Sequence, residues 1–290
     1  MTQPATLPSG HRRIDHMQMH GITIRFPGVL ANDHVDFDAK AGEIHALLGE
    51  NGAGKSTLMK ILYGMYRPNE GEILLDGQAV NFHSPADALA HHIGMIHQHF
   101  MLVPTLTVAE NIALGLKAGG LRVDLGSVRE RLTRLAQVYG LKVKPDAYIW
   151  QLSVGEQQRV EIIKALYHGG ALVILDEPTA VLTPQEVSEL FVTLKEMRAQ
   201  GHTLIFISHK LHEVQELSDR VTVMRDGRVI DTAPNVDLDR RKLARMMVGR
   251  DVVFQPERPA MQVGEVKFAV RDLHANNDQD LPALAGVSLD

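Results

Sequence analysis

The sequence predicts an α/β fold with a mostly parallel sheet and an inserted α-helical subdomain. Three observations predict it. Short apolar runs alternate with segments of helical period at 43–48 then 55–63, 171–175 then 184–199, and 203–207 then 211–217. Such runs are continuous rather than alternating, as strands covered on both faces require. A middle stretch, about 99–168, has helical texture without a convincing strand.

In chain order, the polar residues 1–16 read as a flexible tail, and globular texture begins at Met17. The run 93–96 reads as a strand leading into the helical stretch, where 107–116 and 127–139 have helical period. Residues 184–199 carry Val187, Leu190, Phe191, Leu194 and Met197 on one helical face. Thr183 suits the N-cap of that helix and Pro184 its first turn. Asp226-Gly227 between two β-like stretches is a hairpin signal.

Composition narrows the function classes. Of 290 residues, 44% are hydrophobic and 22% charged, which excludes a mainly disordered chain. No apolar run approaches the ~18 residues of a membrane span, and no secretory signal is read at the start. The 30 Lys and Arg against 35 Asp and Glu give −5, without the basic footprint of a general nucleic-acid binder. Cysteine is absent, which excludes disulfides and thiolate chemistry. His97 and His99 share a strand face, but zinc wants three or four convergent ligands and no further ordered set follows. The charged run 239–242 reads as a solvated helix face.

Three motifs carry chemistry. Gly49-Glu-Asn51-Gly52-Ala-Gly54-Lys55-Ser56-Thr57 fits G-x-x-x-x-G-K-[ST] between a strand and a helix. Its backbone N–H groups can cradle phosphates, Lys55 can reach the β- and γ-phosphates, and Ser56 can ligate Mg²⁺. An apolar strand then ends in Asp176-Glu177. Asp176 suits Mg²⁺ coordination through water, and Glu177 suits a general base facing an attacking water. Finally, Leu152-Ser153-Val154-Gly155-Glu156-Gln157-Gln158 opens a helix with apolar Val160, Ile163, Ala165 and Leu166. Ser153 and Glu156 make a capping box, and serine plus glycine at a helix start also offer an anion site.

In combination these motifs resemble those of ATP-binding cassette (ABC) ATPases. The resemblance covers about 17–250 in full and 265–290 in part. It implies a P-loop ATPase core with an antiparallel β portion on the N-terminal side, binding ATP and Mg²⁺. It assigns Gln98 to the Q-loop, as a catalytic residue and Mg²⁺ ligand beside Ser56 and Asp176. It assigns His209 to the switch histidine acting with Glu177, and Phe26 to the aromatic stacking on adenine, though Phe26 also reads as a core residue. Ser153, Gly155 and Glu156 are implied to meet the ATP of a facing cassette, in a homodimer or with a second cassette. One departure stands out: where the family usually has Ser-Ala-Leu-Asp, this chain has Ala180-Val181-Leu182-Thr183, as in tandem-cassette sugar and nucleoside importers. The stretch His97-Gln-His-Phe-Met-Leu-Val-Pro104 is more similar to the nucleoside-import branch.

Domain organisation follows the same reading: a tail at 1–16, an ABC domain at 17–250, a linker at 251–264, and an incomplete start of a second ABC domain at 265–290. Phe268-Ala-Val-Arg-Asp-Leu-His echoes the segment from Met17, and Leu284-Ala-Gly-Val-Ser-Leu-Asp the segment from Asn32. The implied function is ATP hydrolysis powering solute import. The implied partners are two transmembrane permease subunits and an extracytoplasmic solute-binding protein, at the cytoplasmic face of the membrane. Two alternatives remain: a soluble tandem-cassette ATPase acting on ribosomes, disfavoured by the short Pro-containing linker, and a nucleotide-binding module without turnover.

Overall fold

The computed structural model describes residues 13–116, 124–250, 264–276 and 282–289. In chain order, β1 (His16–Phe26) and β2 (Val29–Lys40) form a hairpin, and β3 (Ile44–Leu48) turns into α1 (Lys55–Leu62). Next come β4 (Glu70–Leu75), β5 (Gln78–Val80), α2 (Pro85–Ala90) and β6 (Ile93–Ile96). Three helices follow: α3 (Val108–Ala113), α4 (Leu125–Val138) and α5 (Val154–Tyr167). The chain then runs through β7 (Leu172–Asp176), α6 (Pro184–Ala199), β8 (Thr203–Ser208) and α7 (Leu211–Leu217). The hairpin β9 (Arg220–Arg225) and β10 (Arg228–Pro234) and helix α8 (Arg240–Val248) complete this unit. The chain divides into two compact units at residues 252 and 253, and the second holds β11 (Val270–Asn276) and β12 (Pro282–Leu289).

The central sheet has six strands in the order β10-β9-β3-β8-β7-β6. β9, β3, β8, β7 and β6 are parallel neighbours, and β10 returns antiparallel on β9. The inner strands are buried along their whole length. Their side chains divide by the two-residue period of a strand. Ala46, Val173, Leu175, Leu204 and Phe206 face one apolar cluster with α3–α7. Leu47, Leu172, Ile174, Ile205 and Ile207 face the other, with α1 and the N-terminal strands. Those strands form an antiparallel sheet, β2-β1-β4-β5. The first unit is thus an α/β three-layer fold whose parallel central strands end at one edge, and Lys55, Asp176, Glu177 and His209 lie at or just beyond that edge.

Residues ahead of the expected boundary at Met17 already belong to the fold. Ile14 is buried, and Asp76 accepts hydrogen bonds from the N–H groups of Asp15 and His16, which starts β1 at His16. The expected linker, apart from Gly264, and residues 1–12 of the expected tail lie outside the described residues. No helix among the described residues is long and apolar enough to cross a membrane.

Within the second unit, β11 and β12 are antiparallel and repeat local features of β1 and β2. Gly21 and Asp272 have φ of 59° and 51°, and His34 and Gly286 have φ of 49° and 70°. The Gly21 N–H donates to Asp36 Oδ1 and the Asp272 N–H to Ser288 Oγ, at 2.8 and 3.0 Å. The echoed segments therefore share kinks at matching places.

Candidate functional site

The loop 49–54 leaves β3 and turns into α1 with Gly54 as its N-cap at φ 95°. A side chain at Gly54 would be strained at that φ and would also collide with the Ala31 carbonyl and the Asn32 amide. The Asn32 amide donates to the Gly54 carbonyl at 3.2 Å and braces the turn from β2. Asn51 and Gly52 are exposed at the loop crest, and Thr57 follows in the first turn of α1.

Lys55 is 5% exposed, and its ammonium donates to the carbonyls of Gly49 and Glu50 at 2.8 and 2.9 Å. Burial pulls its pKa below the usual lysine value, and Glu177, Asp176 and Glu50 oppose that pull. Ser56 Oγ donates to Asp176 Oδ1 at 2.9 Å. Burial pushes the Asp176 carboxyl up, against the hydrogen bond from Ser56 and the charge of Lys60. The pair offers Mg²⁺ hard oxygen donors, one of them a buried carboxylate that burial leaves poorly disposed to carry its charge alone. That chemistry fits the ion.

Glu177 follows Asp176 at the end of β7 with φ 48°, and its N–H donates to the Ile207 carbonyl at 3.1 Å. A non-glycine residue held there stores backbone strain, a habit of functional sites. Its carboxylate Oε1 lies 3.0 Å from Nδ1 of His209, just beyond β8. The parallel register of β7 and β8 delivers both residues to the same edge.

Gln98 is exposed two residues beyond β6, and the pairing of Ile96 with Leu175 sets that segment alongside Asp176. It lines a groove with Phe100, Leu102, Ile149, Trp150 and Val181. Neighbouring His97 rests edge-on to Tyr63, and burial lowers its pKa while Asp176 opposes the shift. Phe26, at the end of β1, is 37% exposed and meets Tyr66 edge-to-face at 5.4 Å. That leaves one ring partly open, as a stacking surface needs.

Ser153 is the N-cap of α5, and its capping box with Glu156 is complete. Gly155 is buried, and its N–H donates to Glu186 Oε1 at 3.1 Å. A side chain at Gly155 would strike that carboxylate. Glu186 also closes the capping box of Thr183 at the start of α6. The threonine that departs from the usual aspartate is thus a helix cap, and one carboxylate joins the first turns of two helices. Among the described residues, no hydrogen bond joins Ser153, Gly155 or Glu156 to Lys55, Ser56, Asp176 or Glu177. The structure gathers Lys55, Ser56, Asp176, Glu177 and His209, and holds the start of α5 as a separate cluster.

Four residues behind the Glu177–His209 contact escaped the sequence reading. Glu213, 1% exposed in α7, accepts from Thr179 and Ser208 and pairs with Lys210. The sequence signal was faint: a lone acid in the helical turn after Ile207-Ser208-His209-Lys210.

Comparison with known proteins agrees with this architecture. Residues 32–180 match the ABC transporter family. The chain is 46% identical to a glucose import ATP-binding protein, TsgD13, of Haloferax volcanii, over 94% of this chain and 55% of that protein. It is 48% identical to a nucleoside import ATP-binding protein, NupA, of Lactococcus lactis subsp. cremoris, over 94% of this chain and 54% of that one. The chain therefore spans about half the length of the curated relatives it matches. A solved ATP-binding cassette of an ABC transporter, MJ1267 in its ADP conformation, superposes with a TM-score of 0.71 at 24% identity. That match covers 82% of this chain and 100% of the other, and shows a shared fold.

Proposed function

The chain belongs to the ABC transporter family, and from that premise we propose that it binds and hydrolyses MgATP to power import of a nucleoside or simple sugar. The observation that carries the hydrolytic part is the Glu177–His209 contact at 3.0 Å, beside Lys55 and the Ser56–Asp176 pair.

ATP lies along the 49–57 loop with its adenine against Phe26. Lys55 turns from the loop carbonyls to the β- and γ-phosphates. Ser56 and Asp176, with Gln98, would hold Mg²⁺, which when bound neutralises charge on the transferred phosphoryl group. Glu177 accepts a proton from the water that attacks the γ-phosphorus. The bond to the β-phosphate oxygen breaks, and ADP and inorganic phosphate leave. His209 orients the Glu177 carboxylate. Ser153, Gly155 and Glu156 of a facing cassette close over the γ-phosphate, so ATP joins two cassettes and its hydrolysis releases them.

The import part rests on the kind of relatives matched and on the segment around Gln98. The partners are two permease subunits and an extracytoplasmic solute-binding protein, with this chain peripheral at the cytoplasmic face. Whether the solute is a nucleoside or a sugar is decided by reconstitution. Vesicles carrying the permease should accumulate labelled solute when this chain and MgATP are added, and not when Glu177→Gln replaces it. Recovery of the chain with ribosomes, and not with membranes, would contradict the transport reading.

A further inference from the structure

We propose that Glu213 is a positioning residue for hydrolysis: it locks the turn after Glu177 to the segment around His209 and so sets the contact between them. The inference rests on the roles given above to Glu177 and His209. Neither side chain is held by a rigid element. Glu177 stands just beyond β7 at a strained φ of 48°. His209 lies between β8 and α7, and its side chain is 43% exposed. Their 3.0 Å contact depends on two loops keeping a fixed separation.

The Glu177 N–H bond to the Ile207 carbonyl ties the two segments at the strand ends, and Glu213 ties them just beyond. Its Oε2 accepts from Thr179 Oγ1 at 2.8 Å, two residues beyond Glu177, and from Ser208 Oγ at 3.2 Å, one residue before His209. Its Oε1 pairs with Lys210 Nζ at 3.0 Å. Lys210 closes the cluster, donating from Nζ to the carbonyl and hydroxyl of Thr179 at 3.1 and 3.2 Å, and from its backbone N–H to Ser208 Oγ at 3.0 Å. Thr179 is 2% and Ser208 3% exposed, so water cannot readily replace these bonds. The turn after Glu177 and the end of β8 are therefore tied, each next to its catalytic residue, by one buried carboxylate.

The experiment compares Glu213→Gln, Thr179→Val and Thr179→Ser in the full chain, with kcat, KM for MgATP, and thermal melts. Thr179→Val keeps the shape and removes the hydroxyl, so it answers even where Glu213→Gln fails to fold. In Glu213→Gln and Thr179→Val, kcat should fall roughly 10–10²-fold, the scale of a small misplacement, with KM nearly kept. The melting temperature should fall too, since buried bonds are lost, so rates are compared at a temperature where the melts show every variant folded. Thr179→Ser, which returns the hydroxyl, should recover most of the loss. Combining Thr179→Val with Glu177→Gln should cost little beyond Glu177→Gln, because both act through one carboxylate. Folded Thr179→Val with wild-type kcat, beside a Glu177→Gln variant that is inactive, overturns this proposal alone. A Glu177→Gln variant with wild-type turnover overturns the parent reading and this proposal with it.

Discussion

Lys55 and Asp176 hold opposite charges in a site whose burial disfavours both charged forms. A ligand with phosphates and a cation relieves that tension, which is how a fold prepares a site at some cost in its own stability. Lys55→Ala should weaken binding of a fluorescent ATP analogue by roughly 10–100-fold, the scale of charge-assisted hydrogen bonds. Unchanged affinity in an equilibrium titration would remove Lys55 from the phosphate site. A second residue gives a pH prediction. His45 is fully buried in β3, with Thr222 Oγ1 2.7 Å from Nε2. Burial is the largest influence and pulls its pKa below 6.5, against the hydrogen bond to Glu43, while the Arg220 charge assists. The native state refuses a proton that the unfolded chain accepts. The contribution is therefore complete above the unfolded value and is lost as pH falls through the lower folded value. Melting temperature should drop on the acid side of a series from about pH 8 to about pH 5, and His45→Gln should flatten that limb. An equal drop in the variant would assign the acid sensitivity elsewhere.

Helix α6 was legible in the sequence because its determinants are local. Thr183 caps it, Pro184 starts it, and Leu190, Phe191, Leu194 and Met197 are its buried face. The capping box at Ser153 was legible for the same reason. The loop around Lys55 and the strand ending in Asp176 were readable as motifs, since glycine pattern and apolar run lie within one short segment. Other features were not, because they depend on partners far along the chain. β1 is broken by register shifts against β2 around Ile22 and by positive φ at Gly21, so its alternation blurs. Ser56 and Asp176 meet across 120 residues, and Glu186 reaches Gly155 across 31. The last contact makes an element-scale prediction. Thr183→Ala should cost about 1 kcal/mol as a lost N-cap. Glu186→Ala keeps the backbone bond to Thr183 Oγ1 but strips the N–H groups of Thr183 and Gly155 of their acceptor, so it should also destabilise. Urea denaturation midpoints measure both, and a Glu186→Ala variant as stable as wild type would mean that the contacts of its carboxylate contribute nothing.

At the scale of the whole molecule, the proposed function makes the site one half of a shared device. The phosphate loop, Glu177 and His209 lie together, while the start of α5 stands apart with the Gly155 N–H turned to Glu186. If two cassettes complete each site, ATPase specific activity should rise with protein concentration, and Ser153→Ala on one chain should impair the site built on the other chain's Lys55. Specific activity that stays constant down to concentrations where sizing finds monomer would refute the shared site for this chain. The central claim, that Glu177 accepts the proton from attacking water, is tested most directly by Glu177→Gln. The amide keeps shape and polarity but cannot take the proton. Turnover should fall roughly 10²–10⁴-fold while ATP affinity is retained, the usual scale for a lost general base. A Glu177→Gln protein that hydrolyses MgATP near the wild-type rate would contradict the account.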